Sequence, residues 1–171
     1  TSLMATADAN LLRAGFPPAE RRGVLAVVDH HAAHGALGDV VIRRDVSAVG
    51  ELLYDLAREL LWPIDAKVAQ CLYTSIVADT GSFRYTSTTP ATHLAAADLI
   101  GRGADPWAAA TGLFESFSLG RQRLLGRLVD TLEVSADGRY ADLFCTPDML
   151  AETGTVKADL DGMINLGRAI E

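Results

Sequence analysis

The chain reads as an α/β protein with a parallel sheet and helices on both faces, and three observations predict that class. Val24–Val28 is a short apolar run without alternation, the pattern of a strand buried on both sides. Further along, apolar residues recur at helical spacing in segments opened by Ser, Asp or Thr and closed by Gly or Pro, so helices follow strands. The apolar run then ends abruptly in Asp29-His30-His31, at the carboxyl end of a strand, where open α/β sheets place their ligand sites.

Taken in order, Val24–Val28 predicts a buried parallel strand, and Asp39–Ile42 a short edge strand with Arg43 and Arg44 just beyond it. Ser47 reads as a helix cap. Leu52, Leu53, Leu56, Leu60 and Leu61 make 48–61 an amphipathic helix closed by Trp62-Pro63. Asp65 caps a second helix, 66–78, whose Val68, Ala69, Leu72, Ile76 and Val77 are expected to face the sheet, and this helix runs straight into Asp79. Thr89 with Pro90 at the first helical position starts a third helix ending near Gly101 or Gly103, and Asp105-Pro106 repeats the start signal.

From Ser118 the pattern changes. A helix carrying Leu119, Leu124, Leu125 and Leu128 runs into Thr131–Val134, an Asp137-Gly138 turn and Tyr140–Cys145, which predicts a linker helix followed by a β-hairpin. Pro147 opens a short helix, and Asp159–Ile170 is expected to form a longer one with Leu160, Met163, Ile164 and Leu166 in a core. Two domains follow, 1–117 and 118–171. No internal repeat or low-complexity tract is present.

Composition narrows the function classes. The 171 residues are 49% hydrophobic and 22% charged, an ordinary globular balance, with a formal charge of −7 and a pI near 5.0. That charge argues against a broad footprint on long nucleic acid, which needs many Lys and Arg contacts, but leaves room for a short anionic substrate held by metals. Cys71 and Cys145 lack CxxC spacing and predict neither a zinc site nor a disulfide framework, so a reducing cytoplasm fits best. No apolar run reaches membrane-span length, and no basic stretch precedes an apolar one at the start. A membrane partner is not expected.

The chemistry concentrates in two places. Neutral imidazole is the commonest metal ligand, and a neighbouring carboxylate can hold a ring's tautomer. Two adjacent histidines in a turn are also what an ordinary surface carries, so the triplet alone decides little. Ser75–Tyr85 adds a second motif, an apolar segment that enters Asp79 and then Thr80-Gly81. There a carboxylate can be aimed at a metal while backbone N–H groups face an anion.

Together the Asp29-His30-His31 triplet and the stretch Ala78-Asp79-Thr80-Gly81-Ser82-Phe83-Arg84-Tyr85 resemble the DHH phosphoesterases. The resemblance is to the nano-RNase branch, the bifunctional oligoribonuclease and 3'-phosphoadenosine 5'-phosphate phosphatases. Ser47–Tyr54, Thr88–Thr92, Ala95–Ile100 and Gly103-Ala104-Asp105 fall in the same order and spacing. The resemblance implies a DHH core over 1–117, and over 118–171 a linker helix with the opening of the DHH-associated, substrate-binding domain.

It also implies hydrolysis of short oligoribonucleotides to mononucleotides, and of 3'-phosphoadenosine 5'-phosphate to AMP, with two divalent cations, typically Mn²⁺ and alternatively Mg²⁺. By motif, His30 and Asp79 are metal ligands, His31 faces the scissile phosphate as a proton-transfer group, and Asp29 orients an imidazole. Arg84 is placed to clamp a phosphate or stack on a base, and Phe83 to pack against a base or the core. His34 and His93 have no motif partner and read as surface imidazoles, while Glu51 either supports His30 or complements its helix dipole. Cys71 reads as a small buried hydrophobe. Expected partners are short RNA or small phosphorylated nucleotides, and some relatives form homodimers through the core domain.

Two features qualify that reading. The first motif of these enzymes, a His followed by Asp-x-Asp, is expected before Val24 and does not occur there. Where the second motif carries a metal-bridging Asp this chain has Ala5, followed by Thr6-Ala7-Asp8. An inactivating change at Ala5, a slipped register with Asp8 substituting, and a local end to the resemblance all fit. The associated domain is also expected to continue beyond Glu171, so the chain reads as part of a longer protein with doubtful activity on its own. Cyclic or linear dinucleotide phosphodiesterase activity is the sibling reading, and an inactive nucleotide-binding module is the alternative from another class.

Overall fold

The computed structural model describes the backbone of residues 2–5 and residues 24–31 and 39–170. Three strands, β1 (Ser2–Ala5), β2 (Leu25–Asp29) and β3 (Val40–Arg43), form a parallel sheet in the order β1-β2-β3. Ala5 pairs with Val28, and Asp29 with Arg43. β2 is central, and Val27 and Val28 are buried as the apolar run predicts, while Val24 precedes the strand and is exposed, so the buried strand is shorter than expected. Residues 6–23 and 32–38, which include Asp8 and His34, lie outside the described residues.

Five helices follow the strands in the first 130 residues: α1 (Val49–Glu59), α2 (Ala66–Asp79), α3 (Pro90–Gly101), α4 (Pro106–Ala110) and α5 (Leu119–Val129). A π-helical turn, Thr111–Glu115, follows α4. The local start signals work as the sequence predicts. Asp65 accepts a bond from the Val68 N–H, Thr89 forms a capping box with Thr92 ahead of Pro90, and Asp105 accepts from Trp107 and Ala108.

Helix α1 lies on the sheet, where Leu52 and Leu56 pack on Val28. Helix α2 packs against α1, α3 and α4, not on the sheet as expected. Its inward residues Ala69, Leu72, Ile76 and Val77 join Ala95, Ala96 and Leu99 of α3 in a helical core. Val68 and Cys71 fall on the outer side of α2 and are exposed, so Cys71 is not the buried hydrophobe expected.

Helix α1 stops at Glu59, short of the expected Leu61. Leu61 takes a left-handed φ of 52°, its N–H bonds to the Arg58 carbonyl, and the Trp62 N–H reaches back to Ala57, the bond pattern of a Schellman cap. Pro63 cannot continue a helix, and Leu60 and Leu61 turn out to solvent.

The chain divides into two compact units, Thr1–Leu113 and Phe114–Glu171. In the second, α5 precedes a two-stranded antiparallel hairpin of β4 (Glu133–Val134) and β5 (Ala141–Asp142), then α6 (Pro147–Thr153) and α7 (Asn165–Arg168). Leu124, Leu128 and Met163 form its core. The long helix expected over 159–170 is instead a 3₁₀ turn, Lys157–Leu160, and the short α7. Gly162 at φ 75° interrupts it.

Helices α1 and α2 approach closely where Gly50 meets Ser75. A Cβ at Gly50 would lie 2.7 Å from the Leu72 carbonyl oxygen and 2.8 Å from the Ser75 Cβ. Gly50→Ala therefore overpacks a rigid backbone contact and should destabilise the fold by about 1–3 kcal/mol, read as a lower urea midpoint at unchanged m-value.

Candidate metal centre

Asp29 ends β2, so Asp29, His30 and His31 emerge at the carboxyl edge of the sheet. The His30 Nδ1 lies 3.3 Å from the Val46 carbonyl oxygen. A carbonyl only accepts, so Nδ1 carries a proton, and in the neutral ring Nε2 is left as a bare lone pair. That Nε2 lies 3.8 Å from Oδ2 of Asp79, too far for a hydrogen bond. Two electron-pair donors thus face each other across a gap.

His31 is held differently. Its Nδ1 and its backbone N–H both bond to Oδ1 of Asp29, at 2.7 and 3.1 Å. The two imidazoles lie with ring centroids 4.3 Å apart. Burial pushes the Asp29 carboxyl up, but the side-chain and backbone bonds from His31 and its charge outweigh that and hold it below the usual carboxylate range. Arg43, its cross-strand neighbour, adds a cation 3.9 Å from Oδ2. Asp29 thus orients an imidazole, that of His31.

Asp79 reaches this place because α2 ends there. Gly81 has φ 55°, its N–H bonds to the Ala78 carbonyl and the Ser82 N–H to Val77, which closes a second Schellman cap directly after Asp79. Ser82 and Phe83 continue with φ of 60° and 62°, an uncommon left-handed run for residues other than glycine. Thr80, fully buried, holds it: its hydroxyl donates to the Ile76 carbonyl at 2.6 Å and accepts from the Phe83 N–H at 3.0 Å.

The anion-facing amides expected at Thr80-Gly81 are not found. The N–H groups of residues 80 through 85 all bond within the turn or to the last turn of α2, because the tight left-handed path brings them onto nearby carbonyls and the Thr80 hydroxyl.

Arg84 donates through Nε to the Gly81 carbonyl at 2.6 Å. Phe83 packs on the helical core, 6.4 Å from the Tyr73 ring, and stacks on His93 at 4.9 Å. His93 is exposed, as expected, yet engaged by that stack. Glu51 is 6% exposed and lies in the first turn of α1, where an acid complements the helix dipole, and it does not contact His30 directly. Its Oε2 accepts from the hydroxyls of Ser47 and Thr92. Ser47 is therefore not a helix cap, and Ala48 holds that position without a side-chain bond.

Sequence reasoning missed three participants: Arg43, the Val46 carbonyl and Thr92. The register of β2 with β3 is the signal that could have found Arg43. Nothing in the sequence marks a backbone carbonyl, and Thr92 lies 45 residues from Ser47. Among the described residues no group of three or more His, Cys, Asp and Glu side chains is arranged to hold a metal. His30 and Asp79 bring one imidazole nitrogen and one carboxylate oxygen to the same place.

A parallel sheet whose central strand runs into Asp-His-His beside a helix ending in Asp makes an α/β chain with the arrangement that the sequence resemblance to DHH phosphoesterases implies. No protein-family model matches the chain. The bifunctional oligoribonuclease and PAP phosphatase NrnA of Bacillus subtilis is 28% identical over 144 residues, and that of Thermus thermophilus 28% over 150. The probable enzyme of the same name from Streptococcus mutans is 29% identical over 115 residues. These matches cover 82%, 87% and 67% of this chain but 45%, 44% and 37% of the relatives, so the chain spans less than half of their length. The crystal structure of an exopolyphosphatase-related protein from Bacteroides fragilis shares the fold, with a TM-score of 0.82 at 24% identity over 87% of this chain and 45% of that one. Over most of its own length the chain is thus similar to the bifunctional oligoribonuclease and PAP phosphatases.

An acid in the last turn of a helix sits at the negative end of the helix dipole, where it costs about 0.3–1 kcal/mol. Asp79 holds that position in α2. Asp79→Asn should therefore leave the fold as stable or raise its unfolding free energy by about that amount, which thermal melts check.

Proposed function

We propose that the chain is the core of a metal-dependent phosphohydrolase that cuts short oligoribonucleotides to mononucleotides and also takes 3'-phosphoadenosine 5'-phosphate. The observation that carries this is the pair of donors, His30 Nε2 and Asp79 Oδ2, facing each other across 3.8 Å with the other His30 nitrogen tied to a carbonyl. Imidazole ligands are commonly fixed in this way. The names of the curated relatives supply the substrate class.

His30 and Asp79 would hold a divalent cation, Mn²⁺ first and Mg²⁺ as the alternative, in a two-metal site completed by further ligands. A cation bound there supplies Lewis-acid polarisation of a phosphoryl oxygen and activation of water for in-line attack. The chain's own groups do the rest. Asp29 fixes the Nδ1–H tautomer of His31, which leaves Nε2 to hold or pass a proton at the leaving oxygen. Arg43 brings positive charge to a region where a phosphate would sit. Arg84, anchored through Nε, would clamp a second phosphate, and Phe83 would pack against a base from its position beside His93.

The formal charge of −7 suits a substrate too short to need a long basic surface. A reducing cytoplasm is the proposed setting, supported by two unpaired thiols. No helix among the described residues is long and apolar enough to cross a membrane.

A second reading, an inactive nucleotide-binding module, is favoured by Ala5, whose strand position pairs with Val28 just before Asp29. A carboxylate at the end of β1 would face the same sheet edge as the triplet. The test compares the chain, Ala5→Asp and the double variant Ala5→Asp/His30→Ala in Mn²⁺-dependent cleavage of a labelled RNA dinucleotide. The hydrolase reading expects Ala5→Asp to raise turnover at least about tenfold and His30→Ala to abolish it, on the scale of losing a metal-site residue. Mn²⁺ binding at His30 and Asp79 without turnover in any variant would establish the binding module. No response of either residue to Mn²⁺ would overturn both.

A further inference from the structure

Glu51, Ser47 and Thr92 form a buried polar cluster that the metal site does not contain. Their exposures are 6%, 5% and 0%. Glu51 Oε2 accepts from the Ser47 hydroxyl at 2.5 Å and from the Thr92 hydroxyl at 3.1 Å, and the two hydroxyls lie 3.0 Å apart. A carboxylate withdrawn from water with hydroxyl partners is costly, and a core built for stability alone would hold an apolar side chain there. Its placement gives another reason for it.

Ser47 directly follows Val46, whose carbonyl receives the His30 Nδ1–H. The Val46–Ser47 peptide lies in the connection between β3 and α1, outside both elements, so no sheet or helix ladder fixes its plane. The Ser47 side chain does, through Glu51 on α1 and Thr92 on α3. Thr92 is itself clamped: its hydroxyl accepts from the Thr89 N–H at 3.1 Å and lies 3.0 Å from the Thr89 hydroxyl. One carboxylate thus ties the amino ends of two helices to the residue whose neighbour orients the imidazole.

We propose that Glu51, acting through Ser47, is a positioning residue that sets the Val46 carbonyl and so locks His30 in the Nδ1–H tautomer with Nε2 bare toward Asp79. This role rests on the reading of His30 as a ligand only for its consequence, because the tautomer is a property of the metal-free chain. If the Val46 carbonyl rotates away, Nδ1–H loses its acceptor and the ring populates the other tautomer, whose Nε2–H presents a proton to Asp79 where a lone pair is needed. Glu51→Gln keeps an amide oxygen that can accept both hydroxyl bonds, so it rescues the role, whereas Ser47→Ala removes the link with a side-chain change small enough to fold.

The test reads ¹⁵N shifts of the His30 ring in metal-free chain at a pH where the ring is neutral. In the unmodified chain and in Glu51→Gln a single bare Nε2 is expected. In Ser47→Ala and Glu51→Ala both nitrogens should move toward the averaged values of mixed tautomers, while His31, held by Asp29, stays unchanged. Mn²⁺ affinity should fall about 10-fold to 100-fold in the same two variants. Unchanged His30 shifts in folded Ser47→Ala would overturn the proposal, whatever Glu51→Ala does. A tautomer shift with no Mn²⁺ binding in any variant would uphold it while removing the metal-site reading on which its consequence depends.

Discussion

The arrangement of the site depends on α2 stopping at one residue. Thr80 imposes that stop: its buried hydroxyl donates to the Ile76 carbonyl behind it and accepts from the Phe83 N–H ahead of it. Gly81, Ser82 and Phe83 are thereby kept in a left-handed path that two of the three side chains disfavour. Strain of this kind persists only where the surroundings over-determine it. Here the determinants are the Schellman bonds, the Thr80 hydroxyl and the packing of Phe83 between Tyr73 and His93. Tyr85 adds a further one, since its ring occupies the space where a Cβ on residue 81 would sit, at 2.5 Å. The result is an acid at the negative end of a helix, 3.8 Å from Nε2 of His30.

The two histidines of the triplet are prepared for different work by partners of different kinds. A neutral carbonyl partners His30, so its Nδ1–H is held without a neighbouring charge. A carboxylate partners His31, so a proton gained on Nε2 is balanced by a neighbouring charge. Asp29 is itself held ionised by His31 with Arg43 nearby. Adjacent residues just beyond one strand end thus reach different electrostatic environments, because one ring meets the Val46 carbonyl and the other the Asp29 carboxylate although the two rings lie 4.3 Å apart.

What the sequence made legible was whatever is decided locally. Asp65, Thr89-Pro90 and Asp105-Pro106 announce their helices because each cap bonds to backbone within three residues. Val24–Val28 announces a buried strand because burial on both faces leaves no alternation. The readings that failed involve distant partners or local breaks. Ser47 has the composition of a cap, but its hydroxyl is engaged by Thr92, far along the chain. The apolar spacing over 159–170 mimics a helix until Gly162 adopts a positive φ. The amides after Asp79 look available in sequence and are satisfied in space by a turn whose path depends on one threonine.

The buried Glu51 shows why a site of this type costs its fold something. An apolar residue at 51 would pack against α3 without the desolvation that a carboxylate carries. The Glu51, Ser47 and Thr92 cluster instead fixes a peptide that no strand or helix would fix, one residue from the acceptor of His30. The acid at the end of α2 and the left-handed turn after it follow the same logic: each lowers stability locally, and each bears on the 3.8 Å gap between His30 and Asp79. Three departures from what stability favours thus converge on one gap, and the requirements of folding alone do not explain them.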